Sequence, residues 1–316
     1  MPRRPKPLPP GLRPGAFTVA QAARLGAGPE RLRRADAERI GYGVYRLREA
    51  TTTELDLAAA LLDDLPGAVL SGRSAARARG FPLPQHLQGW SVGDPIEVTI
   101  PPWCSPTHRA DIVTRRAEIP EAHRRRFQGV PITSCERTWL DLAADLDLPD
   151  LVSIGDHLVR VPRPELEGRI EPFSSPDLLA AVVEDGAGRP GVRSARAALG
   201  LVRIGADSPR ETELRLALGE AGIPEPLLNV PIVGPGGRLL HEPDLQWPRF
   251  RVAAEYEGEH HRTPEQIARD IDRAETIRRI EWREVRIVAP HMSHGADEAV
   301  HRIVDALVDG GWDGRP

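Results

Sequence analysis

The stretch HEPDLQWPRFRVAAEYEGEHHR, residues 241–262, decides how the second half of this chain is read. It carries a Pro-Asp pair, a segment able to form a strand, Glu-x-Glu, a glycine and two adjacent histidines. Residues 250–257 are rich enough in β-formers to predict a strand. Side chains alternate across a strand, so Glu255 and Glu257 share one face and Tyr256 takes the other. Asp244 joins that acidic face if its short segment folds back as a hairpin. Carboxylates converging there repel one another, and a hard divalent cation that takes oxygen ligands is the usual remedy. Metal-assisted hydrolysis is therefore the first expectation. The competing reading is a solvated turn after an edge strand, where exposed acids guard against edge-to-edge pairing.

Working outward, Ser208 opens a unit with a strong helix over residues 211–220, ended by Gly222 and Pro224. Strands are expected at 228–233 and 239–245, on either side of the turn GPGG, followed by the strand that bears Glu255. A polar helix at 264–279, a strand at 284–288 and a last helix at 297–308 complete the order αβββαβα, which suits a mixed sheet with helices packed on it.

The rest of the chain reads as smaller pieces. Residues 1–15 read as a disordered leader in which no signal-peptide pattern is visible. In residues 16–50, two short helices and a hairpin containing Gly41 and Gly43 make a winged-helix-like pattern, with a plain helical hairpin as the alternative. Residues 51–162 alternate helices and strands as an α+β domain, with strands at 95–100, 112–114 and 130–132 and a last helix at 150–159. Residues 163–206, rich in proline and glycine at their start, read as a helical connector to the unit at 207–312. The fold class expected is α/β and α+β multidomain.

The 316 residues suffice for about two domains on size alone. A net charge of −4 argues against a strongly basic nucleic-acid binder, so DNA contact has to come from local patches. The candidates are Arg31, Arg33 and Arg34, and the run Arg124, Arg125 and Arg126; such runs are also what a solvated surface carries. Nearly all the positive charge is arginine, with Lys6 the one lysine. Cys104 and Cys135 have neither metal-ligand spacing nor a disulfide framework, which points to a reducing cytoplasm. No run is long and apolar enough to cross a bilayer.

An acidic residue on a first helix, a PD pair and then a Glu-x-Glu strand, in that order, resemble the PD-(D/E)XK nuclease superfamily. More narrowly, SPRETELRLALGEAGIPEPLLNVPI, PDLQWPRFRVAAEYEGEHHR and RDIDRAETIRR resemble the domain-of-unknown-function family related to very-short-patch repair endonucleases. That resemblance covers residues 208–289 and implies a restriction-endonuclease-like core that hydrolyses phosphodiester bonds with Mg²⁺ or Mn²⁺. It assigns Glu211, Asp244 and Glu255 to the metal and places Glu257 where the superfamily signature has lysine. His261, or else His260, is implied as general base, and Asp270 and Arg273 as a D-x-x-R pair at the site whose plain reading is a surface ion pair. Residues 17–161, through FTVAQAARLGAGPERLRR, GVYRL, LSGRSAARARGFPLP, IEVTIPP and PITSCERTWLDLAADL, resemble AbiEi-type antitoxins. This second resemblance implies DNA contact by Arg31, Arg33 and Arg34, and a toxin or other protein as partner. Two functions follow: a metal-dependent DNA endonuclease of defence, repair or toxin–antitoxin type, or a non-catalytic DNA-binding regulator with a degenerate nuclease fold.

Overall fold

The computed structural model describes residues 8–234, 237–258, 275, 279 and 280–315. The chain divides into two compact units, one of Met1–Leu146 with Ala181–Arg193, the other of Asp147–Ala180 with Ser194–Pro316. Both are mixed α/β.

The first unit begins with strand β1 (Phe17–Thr18), helices Val19–Arg24 and Pro29–Leu32, and the hairpin β2 (Ala37–Gly41) and β3 (Val44–Leu47). Thr18 starts the first helix through a capping box: its hydroxyl accepts from the Gln21 amide while Gln21 accepts from the Thr18 amide. Phe17, Ala22 and Leu32 share one buried core with Tyr45 and Leu47 packed against it, and the three strands run in the order β1-β3-β2. A five-stranded mixed sheet follows, from β4 (Val69–Leu70), β5 (Ile96–Ile100), β6 (Ile112–Arg116), β7 (Arg124–Phe127) and β8 (Val130–Thr133), in the order β6-β5-β4-β8-β7. Helix Glu54–Leu62 packs Leu57, Leu61 and Leu62 into the same core as Ile96, Val98 and Ile132. Every residue of β5 is buried, Glu97 and Thr99 included; Glu97 accepts from the Arg73 amide and Thr99 donates to Ser71. The two expected strands at 95–100 and 112–114 are present, paired in parallel.

The second unit is built on a four-stranded mixed sheet. Its strands are β9 (Leu227–Leu228), β12 (Leu245–Trp247), β13 (Val252–Glu257) and β14 (Arg283–Val288), in the order β14-β13-β12-β9. Strands β10 (Ile232–Val233) and β11 (Leu239–His241) form a separate hairpin. Two expected strands are thus each broken in two. Asn229 takes a left-handed backbone (φ 49°) between β9 and β10, and Pro243, which has no N–H to give to a ladder, falls between β11 and β12.

Alternation along β13 sorts the sheet's two faces. Val252 and Ala254 join Leu245, Trp247 and Ile287 in a core closed by Leu214 and Leu218 of helix Pro209–Glu220 and by Ile303 and Leu307 of helix Ser293–Asp309. On the opposite face Ala253 is covered by Ile232, with Ile280 and Trp282 packed beside them, and the row then continues as Glu255 and Glu257. The last helix is regular only after Ala296, since His294, Gly295 and Ala296 have left-handed backbones; its regular part begins where the sequence places it.

Helix Leu148–Val159, read from the sequence at residues 150–159 and as the end of the middle domain, clusters instead with the second unit. The reason is Asp156, whose carboxylate accepts from the Arg203 amide (2.7 Å), the Thr212 hydroxyl (2.8 Å) and Arg215 Nη2 (2.7 Å). Its partners lie about fifty residues downstream, beyond the reach of any local pattern. The expected polar helix at 264–279 falls almost wholly outside the described residues.

Candidate functional site

Within the described part of residues 241–262 the expected hairpin is formed by residues 245–257. Strands β12 and β13 are antiparallel, with Leu245 opposite Ala254. Asp244, just ahead of β12, closes the ladder with its side chain: Oδ2 accepts from the Tyr256 amide at 2.7 Å. That leaves Asp244 beside Glu255 on the face opposite the apolar core.

Glu211 reaches the same region from the first turn of its helix. Ser208 caps that helix by accepting from the Glu211 amide, and Pro209 occupies its first turn, where a missing N–H costs nothing. The Glu211 side chain folds back, buried, and its Oε2 accepts from the Asp207 amide (2.9 Å) and from Asn229 Nδ2 (3.0 Å). The left-handed turn that interrupts the expected strand is thus what brings Asn229 to this carboxylate. Burial pushes the Glu211 carboxyl up, against the pull of these donors.

Asp244 shows the strain of the arrangement most clearly. Its carboxyl is pushed up to about 7, by burial first, then by the charge of Glu211, with further contributions from Glu255 and Asp207, against the one hydrogen bond from Tyr256. Asp244 thus feels the charge of both other acids assigned from the sequence.

Two residues that the sequence reading passed over stand with them. His241, the last residue of β11, is buried, and its Nε2 lies 2.8 Å from Glu255 Oε1. That approach is not aligned as a hydrogen bond, so the nitrogen is buried without one. Glu284, on β14, completes a set with His241 and Glu255 in which one ligand atom from each lies within 4.8 Å of the others. Two ionised carboxylates that close repel by about 3 kcal/mol at an effective dielectric near 20. Asp244 and Glu211 adjoin this set through Glu255 rather than belonging to it. A signal for Glu284 was present in the sequence: in REVRIV it alternates with Arg286 as Glu255 does with Glu257.

The parallel register carries that alternation across the sheet, with Ala253 opposite Glu284 and Glu255 opposite Arg286. Arg286 contacts Glu257 (Nη1 to Oε1, 3.2 Å) and Glu284 (Nη2 to Oε2, 3.1 Å). Glu257, standing where the resemblance expects a lysine, is thus held by a cation from the neighbouring strand. His260, His261, Asp270 and Arg273 lie outside the described residues.

The donor set suits a divalent cation. Ligands about 2.1 Å from an ion stand some 3–4 Å apart, so a group within 4.8 Å closes on one with small side-chain movement. An imidazole among carboxylates favours Mn²⁺ or another transition ion over Mg²⁺, which prefers oxygen alone. Such a group supplies polarisation of a phosphoryl oxygen and a bound water of lowered pKa.

The arginines expected to meet DNA are largely engaged. Arg31 donates to Asp36 (Nη1 to Oδ1, 2.7 Å) and Arg33 to Glu30 (2.7 Å). Arg34 is exposed. Arg124, Arg125 and Arg126 form β7, and each donates to backbone carbonyls.

Over 190 residues the chain is 32% identical to two uncharacterized proteins of Mycobacterium tuberculosis, one from strain CDC 1551 / Oshkosh and one from strain ATCC 25618 / H37Rv. The match takes in 59% of this chain and 65% of each relative, so the chain spans somewhat less than two thirds of their length. No family model matches the chain, and no solved structure matches it. No helix among the described residues is long and apolar enough to cross a membrane.

Proposed function

We propose that the second unit is a metal-dependent phosphodiesterase of the endonuclease type, acting on DNA in a defence, repair or toxin–antitoxin setting. The observation that carries this reading is the acidic face itself. Glu211, Asp244, Glu255 and Glu284 converge from four segments, with His241 Nε2 2.8 Å from Glu255 Oε1. A divalent cation that takes oxygen and imidazole ligands would offset the repulsion among such carboxylates.

In this reading Glu255 is the central ligand, flanked by Asp244 on one side and by His241 and Glu284 on the other. Glu211 stands behind Asp244, its Oε2 fixed by the Asp207 amide and Asn229. The Tyr256 amide orients Asp244, leaving its second oxygen for the cation, Mn²⁺ or Mg²⁺. The first unit, with its two short helices and hairpin, is the part that would bring the chain to DNA or to a protein partner, in the manner of the winged-helix antitoxins it resembles.

Glu257 in place of lysine favours a second reading, a regulator that binds DNA without cutting it. Incubating the full chain and its Asp244→Ala variant with plasmid DNA and Mg²⁺ or Mn²⁺ separates the two. Nicking by the wild type alone is expected. Cleavage that persists in the variant would remove Asp244 from the site, and no cleavage by either protein favours the regulator.

A further inference from the structure

Among the described residues Arg286 is a cation in contact with Glu257 and Glu284, and its position is set by the sheet. Glu255 pairs with Arg286 in the parallel register of β13 and β14, which puts Glu255, Glu257, Glu284 and Arg286 on one surface. The guanidinium spans the two strands, with Glu257 on Nη1 and with Nε and Nη2 both on Glu284 Oε2. Glu284 is therefore shared between two sets of partners, Arg286 on one side and the His241–Glu255 pair on the other. A carboxylate in such a place is contested, because closer engagement with a divalent cation weakens its hold on a guanidinium. The Arg286 side chain is 31% exposed, so an incoming ligand can reach it.

Resting on the metal-site reading above, we propose that Arg286 is the anion-binding residue of this site and takes a phosphodiester group of the substrate. In the metal-free protein its charge holds Glu257 and Glu284 together. Once Glu284 turns to a bound cation, the guanidinium is released from it and presents its planar fork to two phosphoryl oxygens. Carboxylates repel a phosphodiester, and Arg286, 3.2 Å from Glu257, sets a positive charge among them from the neighbouring strand. Its pKa ensures that the charge is present at every working pH.

The claim has two readouts besides cleavage. Mn²⁺ alone is titrated into the full chain by calorimetry, and a short fluorescein-labelled DNA duplex is bound in Ca²⁺ and followed by anisotropy. The proteins are wild type, Arg286→Gln, Arg286→Lys and, as control, Arg302→Gln, which breaks an exposed pair with Glu298 on the last helix. Arg286→Gln is expected to bind Mn²⁺ about threefold to tenfold tighter, since its competitor for Glu284 is gone, and the duplex at least about fivefold more weakly. Arg286→Lys keeps the charge without the fork; it is expected to leave Mn²⁺ binding near wild type and still weaken the duplex. Arg302→Gln is expected to change neither. Weaker or unchanged Mn²⁺ binding in Arg286→Gln, or duplex binding that survives both substitutions, overturns the assignment of Arg286 alone. A wild-type chain that takes up no Mn²⁺ overturns the metal site and Arg286 with it.

Discussion

Two groups of buried acids in the second unit meet opposite fates. Asp156 is 1% exposed at its side chain and is met by a guanidinium, a hydroxyl and an amide; Arg215, its cation, is buried with it. Burial pushes its carboxyl up while Arg215 and the other donors pull it down. Asp244 is half-buried, receives one amide and faces Glu211 and Glu255. The first arrangement is electrically complete within the chain and ties helix Leu148–Val159 to helix Pro209–Glu220. In the second, Asp244 faces like charge, and a metal ion is what the proposed function adds to it. Burial of charge therefore does not by itself mark a functional site; the kind of neighbour that meets it is the better guide.

Removing a partner should hurt stability in the first group and function in the second. The largest effect is expected at Asp156→Ala, which leaves Arg215 buried and unpaired at a cost of about 3–5 kcal/mol, read by denaturant unfolding. Equal stability of variant and wild type would mean that the network does not hold the two helices. Next comes Glu255→Gln, expected to lower metal-dependent cleavage by about 100-fold or more while leaving metal-free stability unchanged or raised by about 1 kcal/mol as repulsion is relieved. Loss of fold in this variant would place Glu255 with Asp156 as a structural acid.

Asp244 in one region and His157 in the other should respond to pH with opposite signs. Asp244 has its carboxyl raised from 3.8 to about 7, so the folded state holds a proton that the unfolded chain gives up earlier. Its contribution to metal-free stability is full below about pH 4 and fades as pH rises through 7; the difference in melting temperature between wild type and Asp244→Asn should fall across that window. His157, next to Asp156, is pushed down to about 4, by burial first and then by Arg160 and Arg169. It stays neutral in the fold, so stability should drop as pH falls from 6.5 toward 4, and His157→Gln should lose that slope. Slopes of the same sign would break the contrast. The smallest effect is expected at Arg33→Ala in the first unit, where the exposed pair with Glu30 contributes within about 0.5 kcal/mol, measured by thermal melting.

Much of this contrast was legible along the chain where the chemistry is local. The Pro-Asp pair, the alternation of Glu255 with Tyr256 and Glu257, and the Ser208 cap ahead of Glu211 all fall within a few residues, and periodicity places them. Asn229 and His241 were not legible, and the alternation that marks Glu284 does not say which acids it meets, because each reaches them only through tertiary closure. Asn229 needs a left-handed turn, His241 a hairpin folded beside the sheet, and Glu284 a parallel crossover to β14. Asp156 was missed for the same reason: its partners come from residues 203–215. The two halves of the candidate site thus divide by sequence distance rather than by importance.

Calorimetric titration of Mn²⁺ into the full chain and into Glu255→Gln, near pH 8 where Asp244 is ionised, tests the account most directly. Saturable binding to the wild type, lost or weakened at least about tenfold in Glu255→Gln, is the result expected. A wild type that gives no binding heat, or a Glu255→Gln variant that binds as tightly, would contradict the claim that the acidic face is completed by a metal ion.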